Sequence, residues 1–337
     1  MDRMAGITSN TVPWEILSAA GYAPRLLDEE AGPTPYADRW MEHVFDPRIR
    51  VIFDRLCSGA WSHLDRVVIS RTSEQEHKLY LYLREMARTQ DACAMPDLYF
   101  FNLLHTRTPE SYDYGLERTR QMIADFGASE GALREAIEES NRARGCVRKV
   151  LKMRRDGLLE GSTALDWLRG FYTEDRGAFA NRCHKWLAEL NAPLAADRPR
   201  IVIKGAALND SLLHRAVEAA GGYVSSEDDW RGSRAAGEHD VKTDLDSAVA
   251  IFEKYFFDEM SPRIQPSPNR DAWFRREIEG RNVDGVLFYI PFDDDVVGWD
   301  YPRQAAWLQQ CGMPNAVLRD RGNTADIEAF VGSIGRR

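Results

Sequence analysis

The sequence lacks the features that would place the protein in a membrane, in a secretory route or on a nucleic acid. No apolar run approaches the roughly 20 residues needed to cross a bilayer. The first residues, MDRMAGITSNTVPWEIL, lack the apolar core of a signal peptide. The formal net charge is -9, whereas a nucleic-acid surface needs a basic face. We therefore expect a cytoplasmic protein that binds neither membrane nor nucleic acid.

Cysteine is sparse, and its spacing does not suit a metal site. The chain has five cysteines, none of them in a CxxC pair, which excludes the common zinc-binding patterns. An odd number in a reducing compartment also argues against a disulfide framework. The GxGxxG fingerprint of dinucleotide-binding proteins is absent as well. Most of the cysteines are therefore expected to be packing residues.

What the sequence does contain is a set of short apolar runs that indicate buried parallel strands. Val286 to Ile290 is an unbroken apolar run, which is typical of a strand covered on both faces of a sheet. Leu64 to Ser70, LDRVVIS, is predicted to be another buried strand. From Arg200 the pattern RIVIKGAALNDSLLHRAVEAAGGYV predicts a strand, a helix over Leu212 to Ala220 and a strand over Tyr223 to Ser225. Between them, residues 110 to 191 show mainly helical patterning.

These patterns predict an α/β protein with two Rossmann-like parallel-sheet domains and an intervening helical segment. The predicted boundaries are residues 1–110 for the first domain, 111–198 for the helical segment and 199–337 for the second domain. Helices with plausible caps connect the strands, and we expect Asn10 or Thr11 to cap a helix whose first turn contains Pro13. Another helix is expected to begin at Ser73, and one more at Pro302.

The densest acidic cluster follows the strand Val286 to Ile290. Asp293, Asp294 and Asp295 come directly after it, where open parallel sheets bind ligands. The alternative is an acidic turn that caps the next helix, and spacing alone does not separate the two. The acidic run from Glu227 to Asp229 is expected to form another loop at the edge of this site. The basic residues between Arg144 and Arg155 are interpreted as a solvated helix face rather than an anion site.

Several stretches resemble the 2-hydroxyacyl-CoA dehydratase and benzoyl-CoA reductase family. TSNTVPWEILSAAGYAPRLL is similar to the opening of the family, with Pro13 and Glu15 on its Pro-x-Glu pattern. LDRVVISRTSEQEHKLY is similar to its first strand-to-helix junction, and VDGVLFYIPFDDDVVGWDYP to a part of its C-terminal domain. The resemblance covers nearly the whole chain and rests on the order and spacing of these stretches.

The resemblance implies heterodimers of homologous subunits in which three cysteines hold a [4Fe-4S] cluster. The three cysteine positions fall on Asp46, Ser73 and Asp293, and none of them is cysteine here. Such an oxygen-donor set suits Mg²⁺, Ca²⁺ or Mn²⁺, or no metal, better than an iron–sulfur cluster. We also expect Ser73 and Asp293 to meet in one cleft. By the same resemblance, the substrate contacts are assigned to three polar residues: Asn10, Glu15 and Asp294.

Three functions are compatible with this pattern. In the first, the chain is a subunit that acts on a CoA thioester and has no cluster of its own. A homologous second subunit would hold any [4Fe-4S] cluster, and an ATP-dependent activator protein would supply the electron. In the second, the chain is a non-catalytic assembly partner. In the third, it is a repurposed enzyme that uses the Asp/Ser/Asp set, since paired carboxylates can act as acid and base.

Overall fold

The computed structural model describes residues 3–28, 32–89, 95–190, 197–258, 260–261, 266–292, 294 and 297–334. Eight strands lie within these ranges: β1 Arg3–Ile7, β2 Tyr22–Leu26, β3 Arg66–Ser70, β4 Asp97–Phe101, β5 Arg200–Gly205, β6 Tyr223–Asp228, β7 Gly285–Tyr289 and β8 Asn315–Leu318. They form two four-stranded sheets with the orders β2-β1-β3-β4 and β6-β5-β7-β8. Every pair of neighbouring strands is parallel. The predicted α/β class with two Rossmann-like parallel sheets is confirmed.

Helices connect the strands and fill the middle of the chain. Their bounds are α1 Trp14–Ala19, α2 Pro35–Trp40, α3 Pro47–Cys57, α4 Glu74–Thr89, α5 Pro109–Phe126, α6 Glu130–Arg155, α7 Gly161–Thr173, α8 Arg176–Glu189, α9 Leu212–Ala219, α10 Ser247–Phe257, α11 Ser267–Arg276, α12 Val297–Gln310 and α13 Thr324–Ser333. The four consecutive helices α5 to α8 form the helical segment expected between the two sheets. None of the described helices is long and apolar enough to span a membrane.

Packing divides the chain into two compact units. Unit 1 comprises Met1–Asn141, Tyr172–Arg176 and His239–Asp258, and it contains the first sheet and α10. Unit 2 comprises Arg142–Phe171, Gly177–Glu238 and Glu259–Arg337, and it contains the second sheet. The boundaries at residues 110 and 198 divide the chain by local pattern rather than by packing, and they stay a prediction.

Each sheet is covered by helices, which explains the unbroken apolar strands. In unit 1, Val67 and Ile69 of β3 share a core cluster with Leu79 and Leu83 of α4. In unit 2, alternate residues of β5 face two separate clusters. Ile201 and Ile203 belong to the cluster that contains Leu213 of α9, whereas Val202 belongs to the one that contains Phe274 of α11. A strand buried on both faces is therefore predominantly apolar, as in parallel sheets generally.

The structure corrects several boundaries. Arg3–Ile7 forms β1, an inner strand that the sequence analysis did not predict, because Gly6 interrupts its short apolar pattern. Helix α1 begins at Trp14, with Pro13 at its N-cap position and no capping side chain, so the prediction of Asn10 or Thr11 as the cap was wrong. Helix α12 begins at Val297 and contains Pro302 inside it, instead of starting there. Pro302 is the sixth residue of the helix, so it removes one hydrogen bond from the second turn.

Two interpretations of charged residues were also wrong. Glu227 and Asp228 lie inside β6 and are buried, so they do not form the loop that we expected. Arg144 and Arg154 of α6 are buried as well, so the basic residues of this helix are not uniformly solvated. In both cases the burial of a charge is compensated by a partner that only the fold brings close.

Candidate functional site

The carboxyl ends of β1 and β3 lie side by side in unit 1, because these two parallel strands are neighbours in the sheet. The loop from Thr8 to Thr11 follows β1, and Thr72 and Ser73 follow β3. His105 follows β4, the next strand in the order. Ligands of open parallel sheets bind at this edge. The resemblance implied functional roles for Asn10 and Ser73, and both lie here.

Four hydroxyl groups form a buried cluster at this edge, which we call the hydroxyl tetrad. It consists of Ser9, Thr11, Ser70 and Thr72, and all four residues are buried. Each hydroxyl oxygen lies between 2.5 and 3.1 Å from the other three. The tetrad therefore fastens the loop after β1 to the end of β3 through side chains alone. Sequence reasoning missed it, and the pairs Ser9/Thr11 and Ser70/Thr72, each in an i, i+2 spacing, were the available signal.

Ser73 acts as the N-cap of α4 through a reciprocal pair of hydrogen bonds. Its Oγ accepts from the backbone N–H of Glu76 at 3.2 Å, and the Glu76 carboxylate accepts from the backbone N–H of Ser73 at 3.0 Å. This is the capping box, in which the first and fourth residues satisfy each other's free amides. The predicted helix start at Ser73 is thus confirmed, and its hydroxyl already has a structural role.

Asp46 is the N-cap of α3. Its carboxylate accepts from the backbone N–H of Arg48 at 2.8 Å. The backbone N–H of Asp46 donates to the side-chain oxygen of Gln75 over 2.5 Å. Because Gln75 is two residues after Ser73, the structure brings Asp46 and Ser73 to one corner of unit 1. Arg48 extends this corner to the loop after β1, since its guanidinium donates to the carbonyl of Thr8.

Asn10 and Glu15, the two substrate contacts proposed in this region, are both buried. Asn10 lies between the two tetrad residues of the loop. Glu15 lies in α1, where its carboxylate accepts a hydrogen bond of 2.9 Å from the phenol of Tyr255 in α10. Asn10 is therefore beside the strand edge, whereas Glu15 joins two helices of unit 1.

His105 is held neutral at the same strand edge. Burial lowers the pKa of its imidazole to about 4, against the opposing effect of a hydrogen bond to the Arg71 carbonyl. The ring Nε2 and that carbonyl oxygen are 2.9 Å apart. The imidazole therefore donates from Nε2, which leaves Nδ1 as the acceptor of this neutral ring. The hydroxyl tetrad, Asn10 and His105 together give this strand edge neutral hydrogen-bond donors and acceptors for a polar ligand.

In unit 2, Asp294 follows β7 as a helix cap. Its carboxylate accepts from the backbone N–H of Val297, the first residue of α12, at 2.6 Å. This favours the interpretation of the acidic run as a capping turn, at least for Asp294. Asp293 lies outside the described residues, as does Asp295. The expectation that Ser73 and Asp293 share one cleft therefore stays a prediction.

The carboxyl ends of β5 and β6 carry a buried ionic cluster that sequence reasoning missed. Lys204 Nζ lies 2.7 Å from the Asp228 carboxylate, which also accepts from Arg234 Nε at 2.5 Å. Burial alone would raise the pKa of Asp228, but the two cations outweigh it and lower the pKa to about 2. A bidentate pair between Arg270 and Asp300 adjoins it, since Arg234 also donates to the Arg270 carbonyl. The signal was a lysine inside an otherwise apolar strand, RIVIKG.

Asp229, the residue after β6, has the opposite electrostatic environment. Burial raises the pKa of its carboxyl to about 6, and the neighbouring Glu227 carboxylate adds to this effect. Backbone N–H groups of Arg231 and Gly232 donate to it at 2.7 and 2.6 Å and partly offset the rise. Asp229 is therefore a carboxyl whose protonation changes near neutral pH, at the edge where such sheets bind ligands.

The donor atoms at the family's cluster positions do not fit a [4Fe-4S] cluster. Such clusters are held by thiolates, whereas Asp46 and Ser73 offer oxygens that are already used as helix caps. Cys57, the cysteine nearest to Asp46 in the sequence, is the last residue of α3 and is buried in the unit 1 core. Within the described ranges, no group of three or more His, Cys, Asp or Glu side chains is arranged to hold a metal ion.

The comparison with known families agrees with this geometry and with the resemblance. The family model "2-hydroxyglutaryl-CoA dehydratase, D-component" matches residues 10–329. The chain belongs to this family, whose members are components of a dehydratase of a CoA thioester. No individually curated protein matches the chain.

Proposed function

We propose that this chain is a subunit of a 2-hydroxyacyl-CoA dehydratase-type complex and acts on a CoA thioester without a [4Fe-4S] cluster of its own. The observation that carries the proposal is the chemistry at two of the family's cysteine positions. Asp46 and Ser73 each give their oxygens to a helix N-terminus, although the family pattern extends over residues 10–329. Oxygen donors of this kind disfavour iron–sulfur binding.

A homologous second subunit would then hold the cluster, and an ATP-dependent activator protein would deliver the electron to it. The part assigned to this chain is to hold the thioester substrate at the carboxyl edge of the first sheet. The hydroxyls, the Asn10 amide and the neutral His105 supply hydrogen bonds there without adding net charge. Such groups suit the carbonyl and hydroxyl oxygens of an acyl thioester, which accept hydrogen bonds.

A second candidate is a non-catalytic assembly partner, and the capping bonds of Asp46 and Ser73 favour it. Residues that were cluster ligands in a relative and now only terminate helices are what a subunit kept for assembly would have. The repurposed Asp/Ser/Asp enzyme is the weakest of the three, because a capping carboxylate must break its bond to the helix before it binds a cation.

Iron analysis tests the cluster part of the proposal. The chain is purified anaerobically, alone and together with a homologous subunit that has three cysteines, and iron and acid-labile sulfide are measured per chain. We expect stoichiometric iron only in samples that contain the partner subunit. This chain purified alone should contain substoichiometric iron. The variant Asp46→Cys/Ser73→Cys/Asp293→Cys should gain iron after reconstitution. A full cluster in the unmodified chain, lost in Cys57→Ser, would show that the ligand positions are wrong.

Steady-state kinetics of the complex separates the subunit from the assembly partner. Asn10→Ala should raise the KM for the CoA thioester while the complex stays assembled. Ser58→Ala, an exposed hydroxyl at the end of α3, is the matched control and should leave KM unchanged. Unaltered kinetics of Asn10→Ala in an intact complex would favour the assembly partner instead.

A further inference from the structure

Unit 2 contains a polar cavity of about 470 Å³ at the opposite end of its sheet from the carboxyl edge. Its lining includes Arg200, the first residue of β5, and Asn282, which precedes β7. Arg155, the last residue of α6, also lines it, together with Ser225 and Ser226 of β6 and Arg281. The cavity thus combines three guanidinium groups with hydroxyl and amide groups.

The backbone departs from regular geometry at two places, and both line this cavity. The pairing of β5 with β6 passes from Ile201–Val224 to Val202–Ser226, so Ser225 is an extra residue in the edge strand. Such bulges are rare between parallel strands and are enriched next to functional sites. Asn282 has a φ of 47° and is the only non-glycine residue of the described chain with positive φ. Left-handed backbone at a non-glycine residue is also concentrated at ligand sites.

The charges around the cavity do not cancel. Arg281 is paired with Glu277 at 2.6 Å, and the Ser226 hydroxyl donates to the same carboxylate. Asp156, the other acidic residue of the lining, is paired with Lys152. The guanidinium groups of Arg155 and Arg200 remain without a carboxylate partner among the described residues. The cavity therefore carries an excess of positive charge in a protein whose net charge is -9.

Among the three arginines that line the cavity, Arg155 has the guanidinium with the fewest partners. It has no hydrogen-bond or ion-pair partner for this group in the described part of the chain. Burial lowers its pKa, and although Glu277 offsets this, the neighbouring cations Arg281 and Arg154 lower it further. An anion bound at such a place stabilises the charged guanidinium, because its attraction offsets the desolvation penalty and the repulsion from the other cations.

Arg200 has a structural role in addition. Its Nη2 donates to the carbonyl of Arg155 at the C-terminus of α6, where a cation stabilises the helix dipole. Its Nε is buried and has no hydrogen-bond partner among the described residues. One guanidinium nitrogen of Arg200 therefore has a hydrogen bond that caps the helix. The guanidinium nitrogens of Arg155 make no such bond to any described residue.

We propose that this cavity is a binding site for a phosphate group, with Arg155 as its main cationic ligand and the Asn282 side-chain amide as a further donor. Planar guanidinium forks match the oxygens of phosphate and bind them through paired, charge-assisted hydrogen bonds. The site lies at the opposite end of the second sheet from its carboxyl edge, and the inference does not depend on the proposed function.

Two sources share this chemistry: free orthophosphate, and the phosphate end of a larger ligand such as adenosine 3′,5′-bisphosphate, which is a fragment of CoA. Isothermal titration of the full-length chain with each compound distinguishes them. The titrations are run at about 0.15 M salt, where the Debye length of about 8 Å suppresses diffuse attraction. Similar affinity for both compounds identifies a site for phosphate alone. Much tighter binding of the bisphosphate identifies the nucleotide end.

Substitution assigns the binding to the cavity. Arg155→Met keeps the apolar stem and should weaken phosphate binding at least about tenfold, the equivalent of one charge-assisted hydrogen bond. Lys149→Met removes an equal charge from the exposed face of the same helix and should leave the affinity unchanged. Arg155→Lys keeps the charge without the fork, should lie between the two, and serves as the test if Arg155→Met does not fold.

Three results would overturn the proposal. One is the absence of binding of both compounds at millimolar concentration. Another is equal weakening in Arg155→Met and Lys149→Met, which would indicate attraction by general charge. The third is unchanged affinity in both Arg155 variants. None of these results depends on dehydratase activity, so the proposed function can fail or hold independently.

Discussion

The phenol of Tyr255 donates a hydrogen bond of 2.9 Å to the carboxylate of Glu15, and both residues are buried. The same phenol oxygen accepts from the backbone N–H of Trp14 at 3.2 Å. The hydrogen bond joins α1 near the start of the chain to α10, and both helices belong to unit 1. A residue that the resemblance assigned to substrate binding thus has an architectural partner.

We expect Tyr255→Phe to lower the free energy of unfolding by about 1–3 kcal/mol, because it leaves a buried carboxylate with one hydrogen bond fewer. Urea denaturation followed by far-UV circular dichroism measures this loss. The control is Tyr114→Phe, whose phenol is exposed and accepts a hydrogen bond from Asn102. A loss in Tyr255→Phe no larger than in the control would mean that the buried bond contributes nothing.

Ser73→Ala should destabilise the protein by about 1 kcal/mol, the usual effect of losing a helix N-cap. The hydroxyl satisfies the amide of Glu76, and alanine cannot replace it. Ser58→Ala removes an exposed hydroxyl that donates to a carbonyl near the end of α3, and it should have little effect. Thermal unfolding of the two variants side by side tests the capping role, which equal melting temperatures would contradict.

Lys204→Met should destabilise the protein by about 3–5 kcal/mol, far more than Ser73→Ala. The substitution leaves the Asp228 carboxylate buried with one cation fewer. Lys242→Met breaks an ion pair of similar length, 3.0 Å to Glu253, but that lysine is exposed. We expect no measurable change there, since solvent screens exposed pairs. Denaturant midpoints of both variants make the comparison, and similar values would argue against a structural role for the buried cluster.

Asp229 should make stability fall as pH rises from about 4 to 6. Its folded pKa of about 6 lies above the ordinary value of 3.8, so the folded protein binds the proton more tightly than the unfolded chain. The stability that Asp229 contributes is therefore fully present below the ordinary pKa of 3.8. It is lost as the pH rises through the folded pKa of about 6. The loss reaches up to about 3 kcal/mol, because each pH unit between the two pKa values corresponds to about 1.4 kcal/mol.

The variant Asp229→Asn tests this, because its side-chain oxygen can still accept from the amides of Arg231 and Gly232. As the pH rises from 4 to 6, the unfolding free energy of the wild type should fall relative to that of the variant. The control is Asp320→Asn, an exposed aspartate that accepts from the Gly322 amide in a comparable turn. A constant difference over this range would mean that folding does not raise the pKa of Asp229.

The sequence predicted those strands whose burial shows in every residue. Val286 to Ile290 was visible because both faces of its sheet are covered, so that no polar residue interrupts the run. In Leu64 to Ser70 the same burial leaves the shorter apolar stretch Val67 to Ile69. Strand β1 was not predicted because it is short and Gly6 interrupts its apolar residues. Its Gly6 is required by packing, since an added Cβ would lie 2.7 Å from the Leu27 side chain.

Buried charge was the part that the sequence could not reveal. Glu227 and Asp228 have the composition of a loop, and they belong to a strand only because Arg154, Lys204 and Arg234 reach them through the fold. The same limit applied at the candidate site. Ser73 was correctly predicted at a helix start, but the link from Asp46 to Gln75 depends on how α3 packs beside α4.

The hydroxyl tetrad has a consequence for how this strand edge can respond to a ligand. Six oxygen–oxygen contacts join its members, but four hydroxyls supply only four protons. At least two contacts therefore have no proton between them, and several proton arrangements satisfy the group equally well, as in ice. Rotation of the O–H bonds exchanges these arrangements without moving a heavy atom. The edge can thus turn a donor or an acceptor toward a neighbouring group, while its charge stays at zero.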